Sequence, residues 1–112
     1  MEIGVGAKSV ERDDEGYLMD PSDWNEQIAE DFARETGLGF TEEHRRIVRF
    51  MRHYFDEHRI APDARFVVKY LAVDLGYGAT ARNRLFSLFP YGYMQQACKI
   101  AGMRRPRTWS TG

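Results

Sequence analysis

The chain has 112 residues, 16 lysines and arginines against 17 acids, and a net charge of -1, with 43% hydrophobic and 13% aromatic residues. That is the length of one domain with apolar content for one core. It excludes a disordered chain, a spanning helix, for which no apolar run approaches the ~18 residues needed, and a disulfide-stapled scaffold, since there is one cysteine.

From the start, Ile3, Val5 and Ala7 alternate with small or polar residues, Asp13-Asp14-Glu15-Gly16 is a turn, and Tyr17-Leu18-Met19 leaves it as a short strand. Pro21-Ser22 opens a helix with Ser22 as N-cap, and Trp24, Ile28 and Phe32 share one face at i, i+4, i+8. Gly37 and Gly39 end it. Thr41 caps the next helix, with Glu42 and Glu43 in its first turn. Ile47, Phe50, Met51, Tyr54 and Phe55 give that helix the strongest periodicity in the chain, so it is expected to be central.

Pro62 breaks it. Residues 63–75 repeat the helical pattern with Phe66, Val67, Tyr70 and Leu71, and Gly76-Tyr77-Gly78 turns the chain into a short helix over 80–89. After Pro90-Tyr91-Gly92, a last helix of about nine residues is expected from Tyr93 to Ala101, with Gly102 as C-cap. Pro106, the arginines and Ser110-Thr111-Gly112 predict a loosely ordered tail. The expected fold is mostly α: a single domain of about five helices, with a β-hairpin over 1–20, a helical core over 22–102 and a C-terminal arm over 103–112.

Charge is polarised along the chain. Residues 11–31 carry Glu11, Asp13, Asp14, Glu15, Asp20, Asp23, Glu26, Glu30 and Asp31 against Arg12 alone, whereas Lys99, Arg104, Arg105 and Arg107 close the chain without an acid. Either two solvated faces result, or the basic end docks on an acidic partner or a phosphate. Cys98 lies in that basic stretch. Cations beside a thiol raise its thiolate fraction, which makes Cys98 the candidate sulfur acceptor and Lys99, Arg104 and Arg105 its candidate supports. Met94 and Ala101 on its helical side suit a buried, inert thiol equally well.

His44, His53 and His58 do not have the i, i+4 spacing of a helical metal pair, so no metal or other cofactor is expected. Arg45, Arg46, Arg49, Arg52 and Arg59 form a charged helix side, either paired with Glu42, Asp56 and Glu57 or open to a partner. Residues 63–89 partly match a helix-turn-helix, with Arg82 and Arg84 on the would-be recognition helix. The slightly acidic charge makes DNA a minor alternative. No leader pattern opens the chain, and the expected location is cytoplasmic, away from any membrane.

Ordered blocks along nearly the whole length carry a resemblance. They are Asp14-Glu15-Gly16-Tyr17-Leu18, Asp23-Trp24, Thr41-Glu42-Glu43-His44, the segment Ile47 to Tyr54, Ala61-Pro62 with Arg65 and Lys69, Leu85-Phe86-Ser87-Leu88-Phe89-Pro90-Tyr91-Gly92, and Gln96-Ala97-Cys98-Lys99-Ile100-Ala101-Gly102. In these the chain resembles the DsrC/TusE/DsvC family of small sulfur-trafficking proteins, the gamma-subunit-like proteins of dissimilatory sulfite reductase. The resemblance implies a helical domain with a small β-hairpin and a flexible C-terminal arm that hands sulfur between proteins on cysteine thiols. DsrC-type members carry two such thiols, and Cys98 matches the upstream one. TusE-type members, which serve tRNA thiolation, keep only the terminal one.

This sequence departs from both patterns, because Trp109 stands where the terminal thiol is expected. Gly92-Tyr93-Met94-Gln95 replaces a Gly-Pro-Ala-Lys step, and Arg45 replaces a tryptophan. A single thiol cannot close an internal disulfide. The resemblance therefore implies a carrier or accessory protein rather than an enzyme, any activity being of sulfurtransferase type. Cys98 is then the only thiol able to carry sulfur. The partners implied are sulfurtransferases of a relay or a siroheme sulfite reductase. The alternative is a docking module that has lost the arm's chemistry and uses Trp109 with Arg104, Arg105 and Arg107 as an anchor.

Overall fold

The computed structural model describes residues 10–104. Five α-helices build it: α1 Glu26–Glu35, α2 Glu42–His58, α3 Ala64–Val73, α4 Ala81–Leu88 and α5 Cys98–Ile100. Short 3-10 turns at Pro21–Asp23 and Gly78–Thr80 precede α1 and α4, and a π-helical turn, Tyr93–Ala97, runs directly into α5.

Of the hairpin expected over 1–20, the described residues keep one antiparallel bridge, between Arg12 and Leu18. They form no strand, and residues 1–9 lie outside them. The turn is closed by local chemistry: the Asp13 carboxylate accepts from the N–H groups of Glu15 and Tyr17, and Gly16 takes a φ of 91°. Tyr17 and Leu18 then bury against the helices, which is how so short a ribbon persists.

Ser22 does not cap α1. Asp20 caps the 3-10 turn by accepting from Ser22 N–H at 3.0 Å, and α1 begins three residues later, where the Asn25 side chain accepts from Ile28 N–H at 2.9 Å. Thr41 caps α2 as expected. The partner closing its capping box is His44, whose Nδ1 accepts from Thr41 N–H at 3.1 Å.

The core lies where Ile28 and Phe32 of α1, Ile47 and Met51 of α2, Val67 and Leu71 of α3, and Leu85 of α4 meet. Each such side chain contributes about 1.5–3 kcal/mol by leaving water. Phe50 and Tyr54, expected on the buried stripe of α2, are only half-buried. They stack outward on Tyr70 and Phe66 of α3, with ring centroids 4.5 and 5.5 Å apart.

The last helix is not the continuous nine residues expected. Gly92, at φ 102°, starts a wider turn in which Cys98 N–H reaches back to Tyr93 O. Tyr93, Gln96, Ala97 and Cys98 are all buried, more consecutive positions than one 3.6-residue face turns inward. No helix among the described residues is long and apolar enough to cross a membrane.

Candidate functional site

Cys98 opens α5 with none of its surface exposed. Its nearest polar neighbour is Tyr93, also buried, whose hydroxyl donates to Pro62 O at the end of the α2–α3 connection. Loss of water dominates here: burial pushes the thiol up to about 12, against a smaller opposing effect from Tyr93, and it raises Tyr93 as well. In place, the thiol is therefore held in its neutral form at neutral pH.

The segment on either side of Cys98 is tied down from both directions. Upstream, the buried Gln96 donates to Thr36 Oγ1 at 2.9 Å and accepts from Tyr91 N–H at 3.1 Å, which fastens the π turn to the end of α1. Downstream, Gly102 N–H donates to Lys99 O and Met103 N–H to Cys98 O, both at 3.0 Å. This pair of bonds is a Schellman close, with Gly102 in the left-handed position at φ 78°.

Two side chains from distant parts of the sequence satisfy the carbonyls at this end of α5. Trp24 Nε1 donates to Ile100 O at 2.9 Å, and Arg52 Nη1 donates to Ala101 O at 3.2 Å. The Arg52 guanidinium lies over the Trp24 ring at 4.8 Å and the Phe55 ring at 5.8 Å. Gly102 is pressed against the same indole: a Cβ there would stand 2.4 Å from Trp24 Cδ1.

Of the cations expected to support the thiol, Lys99 and Arg104 are engaged elsewhere. Lys99 Nζ sits 5.1 Å from the Tyr17 ring centre and helps lower the Glu35 carboxyl. Consecutive residues of a helix do not share a face, so a lysine next to Cys98 in sequence points elsewhere. Arg104 is exposed and acts on Asp20. Arg105, Arg107 and Trp109 lie outside the described residues.

The arginines of α2 divide. Arg45 pairs with Glu30 at 2.9 Å, and Arg49 with Glu26 at 3.1 Å and Glu42 at 3.5 Å. Arg46 reaches Glu42 at 3.9 Å. Arg52, expected with the others on the solvated side, is half-buried and makes no ion pair among the described residues. Arg59 ends the helix in the left-handed conformation at φ 62°.

Arg84, on the would-be recognition helix, grips Glu43 of α2 through two bonds at 2.9 and 2.5 Å, and Tyr77 donates to the same carboxylate. That pairing ties α4 to α2. Arg82 stays exposed. His44 is buried between Phe40 and Phe89, while His53 and His58 are exposed beside Glu57. Among the described residues no three of His, Cys, Asp or Glu are grouped to hold a metal.

Sequence reasoning missed Tyr93, Gln96, Trp24 and Arg52 as parts of the Cys98 environment. The only local signal was the glycine at 102, which announces a C-cap but not what packs against it.

The chain matches the family model described as DsrC like protein over residues 4–109. It is 37% identical over 99 residues to the sulfurtransferase TusE of Pectobacterium atrosepticum, covering 88% of this chain and 91% of that one. Its fold is similar to the oxidized gamma-subunit of the dissimilatory sulfite reductase (DsrC) from Archaeoglobus fulgidus, with a TM-score of 0.81, 32% identity, and 90% and 92% of the two chains covered. Allochromatium vinosum DsrC gives a TM-score of 0.77 at 39% identity, covering 88% of each chain.

Proposed function

Because this chain belongs to the DsrC-like protein family, we propose that it is a sulfur-relay protein acting between protein partners, with Cys98 as the thiol that carries the sulfur. One observation carries the assignment: the only cysteine in the sequence lies within the family match, on the short helix that ends the described fold. The chemistry is a transfer of sulfane sulfur. The Cys98 thiolate attacks the outer sulfur of a donor's persulfide, a new S–S bond forms at Cys98, and the donor cysteine leaves as a thiolate. Nothing is oxidised or reduced overall, so the chain needs no cofactor of its own.

The names of the relatives support a donor of the sulfurtransferase type and, as acceptor, a further relay protein or a siroheme sulfite reductase. Loading the protein from a small persulfide donor and weighing it intact tests the assignment. The expected result is a gain of one sulfur atom, localised to Cys98 and lost in Cys98→Ser. Protein that stays unloaded under conditions where free cysteine exchanges sulfur overturns it.

A second reading is favoured by a separate observation. The thiol is sealed, and the sequence has Trp109 where the family resemblance calls for a terminal cysteine. In that reading the chain docks on relay partners without carrying sulfur, through Arg104, Arg105, Arg107 and Trp109. A pull-down comparing the full chain with one lacking 105–112 separates the two. Loss of partners in the shortened chain, together with unchanged binding by Cys98→Ser, supports docking alone.

A further inference from the structure

The assignment above asks a fully buried thiol to meet another protein, so something has to move. The segment that ends the described fold is buried, and few side chains from elsewhere hold it by hydrogen bonds. Tyr93 and Gln96 anchor the π turn before Cys98. After Cys98, the hydrogen bonds from side chains outside the turn are, among the described residues, those of Trp24 to Ile100 O and Arg52 to Ala101 O. Trp24 is itself outside any helix, in extended backbone between the 3-10 turn and α1. Arg52 is a half-buried cation held by a carbonyl and two rings rather than by a carboxylate, so water can replace what holds it at small cost. Upstream, the turn begins at a π-helical segment, an irregularity that recurs at functional sites.

From this arrangement we propose that Trp24 and Arg52 form a latch on the terminal turn 98–103, and that release of this turn, with the rest of the core in place, is what brings Cys98 to the surface. The purpose of the release rests on Cys98 being the carrier. The release itself is a property of the fold and is measured without any sulfur.

Two features make release separable from unfolding. The turn's internal bonds, Gly102 to Lys99 and Met103 to Cys98, travel with it. The helices α1, α2, α3 and α4 contribute buried residues of their own to the core, Ile28, Phe32, Ile47, Met51, Val67, Leu71 and Leu85. What opposes release is burial of Ile100, Ala101 and Met103, and the seat of Gly102 on the indole.

The test follows the alkylation of Cys98 by iodoacetamide in the native full chain, as a function of urea and of pH. Through a released turn the rate stays nearly flat at low urea, and it levels off above the pKa of a solvated thiol, roughly 8.5. Trp24→Phe, which keeps the ring and removes the donor, and Arg52→Gln each raise the low-urea rate by about three- to tenfold, the equivalent of one hydrogen bond. Arg52→Lys keeps a cation under the carbonyl and stays closer to the parent. Val67→Ala, a core change in α3, lowers global stability and leaves the low-urea rate where it was.

Amide exchange at Met103 gives a second reading of the same opening and speeds up in the two latch variants alone. A rate that climbs steeply with urea from the start and follows global stability in every variant overturns the latch, as does no reaction short of unfolding. So does a rate that keeps rising toward the buried value of about 12 with no response to Trp24 or Arg52. If the latch behaves as proposed and sulfur loading fails, only the carrier role is lost. If loading succeeds while alkylation tracks global unfolding, only the latch is lost.

Discussion

Helix α2 caps two other helices, and it does so with different chemistry at the two positions. Near its start, His44 Nε2 meets Leu88 O, the last carbonyl of α4, at 2.8 Å. Farther along, Arg52 meets Ala101 O at the end of α5. The first donor is buried, edge-on to Phe89 and stacked on Phe40. The second lies at the boundary of the core, charged and stacked on an indole.

The difference is in what happens when each bond breaks. Releasing Leu88 O leaves an imidazole and a carbonyl unpaired inside the core, which costs about 1–3 kcal/mol for each group left unsatisfied. Releasing Ala101 O leaves a guanidinium that water can reach. The α4 junction is therefore a fixed joint, whereas the α5 junction is one that can open.

His44→Ala breaks the fixed joint and is the largest effect expected. It removes the bond to Leu88 O, the acceptor for Thr41 N–H, and the volume between two rings. A loss of about 3 kcal/mol is expected from urea unfolding. Gly102→Ala attacks the other joint. It places a Cβ against Trp24 in a conformation that only glycine adopts freely, and about 1–3 kcal/mol is expected. The signature should be local: amide protection drops at Gly102 and Met103 more than in α2.

The fixed joint also has a pH signature. Burial lowers His44 below its ordinary 6.5 and outweighs the opposing bond to Leu88. The unfolded chain therefore takes up the proton first, and stability falls as pH drops from about 6.5 toward the lower folded value. Glu35 and Glu43, held below their ordinary 4.5 by Arg12 and Arg84, add their losses only in more acid solution. His44→Gln should flatten the slope just below pH 6.5 and leave the acid limb intact.

The smallest effect belongs to the paired arginines of α2. Arg45→Gln breaks the contact with Glu30 and should cost about 0.5 kcal/mol. That cost should shrink in high salt, where Arg52→Gln keeps its effect on Cys98 alkylation. Equal salt sensitivity at the two positions would erase the distinction between a solvated arginine and a latch.

Much of this was legible beforehand. The periodicity of Ile47 and Met51, the Thr41 cap and the breaks at Pro62 and Gly76 are short-range signals, and the helices appear where those signals put them. Ser22 misled because Asp20, two residues earlier, offers a carboxylate to the same turn and Asn25 a better cap to the helix. The last helix misled because a nine-residue apolar pattern does not say whether its hydrogen bonds span four residues or five. Arg52, grouped by sequence with the solvated arginines of α2, instead meets an indole and a carbonyl brought in from elsewhere.

The amino-acid order alone settled the helical class, most helix ends, the presence of a single thiol, and the blocks that mark the family. These depend on residues within a few positions of one another. Only the packed chain decided that the thiol is sealed and weakly acidic, that Lys99 faces away from it, and that α2 closes α4 and α5. Those outcomes join residues 44, 49 and 76 positions apart, and exclusion of water is a property of everything around an atom rather than of its neighbours in sequence.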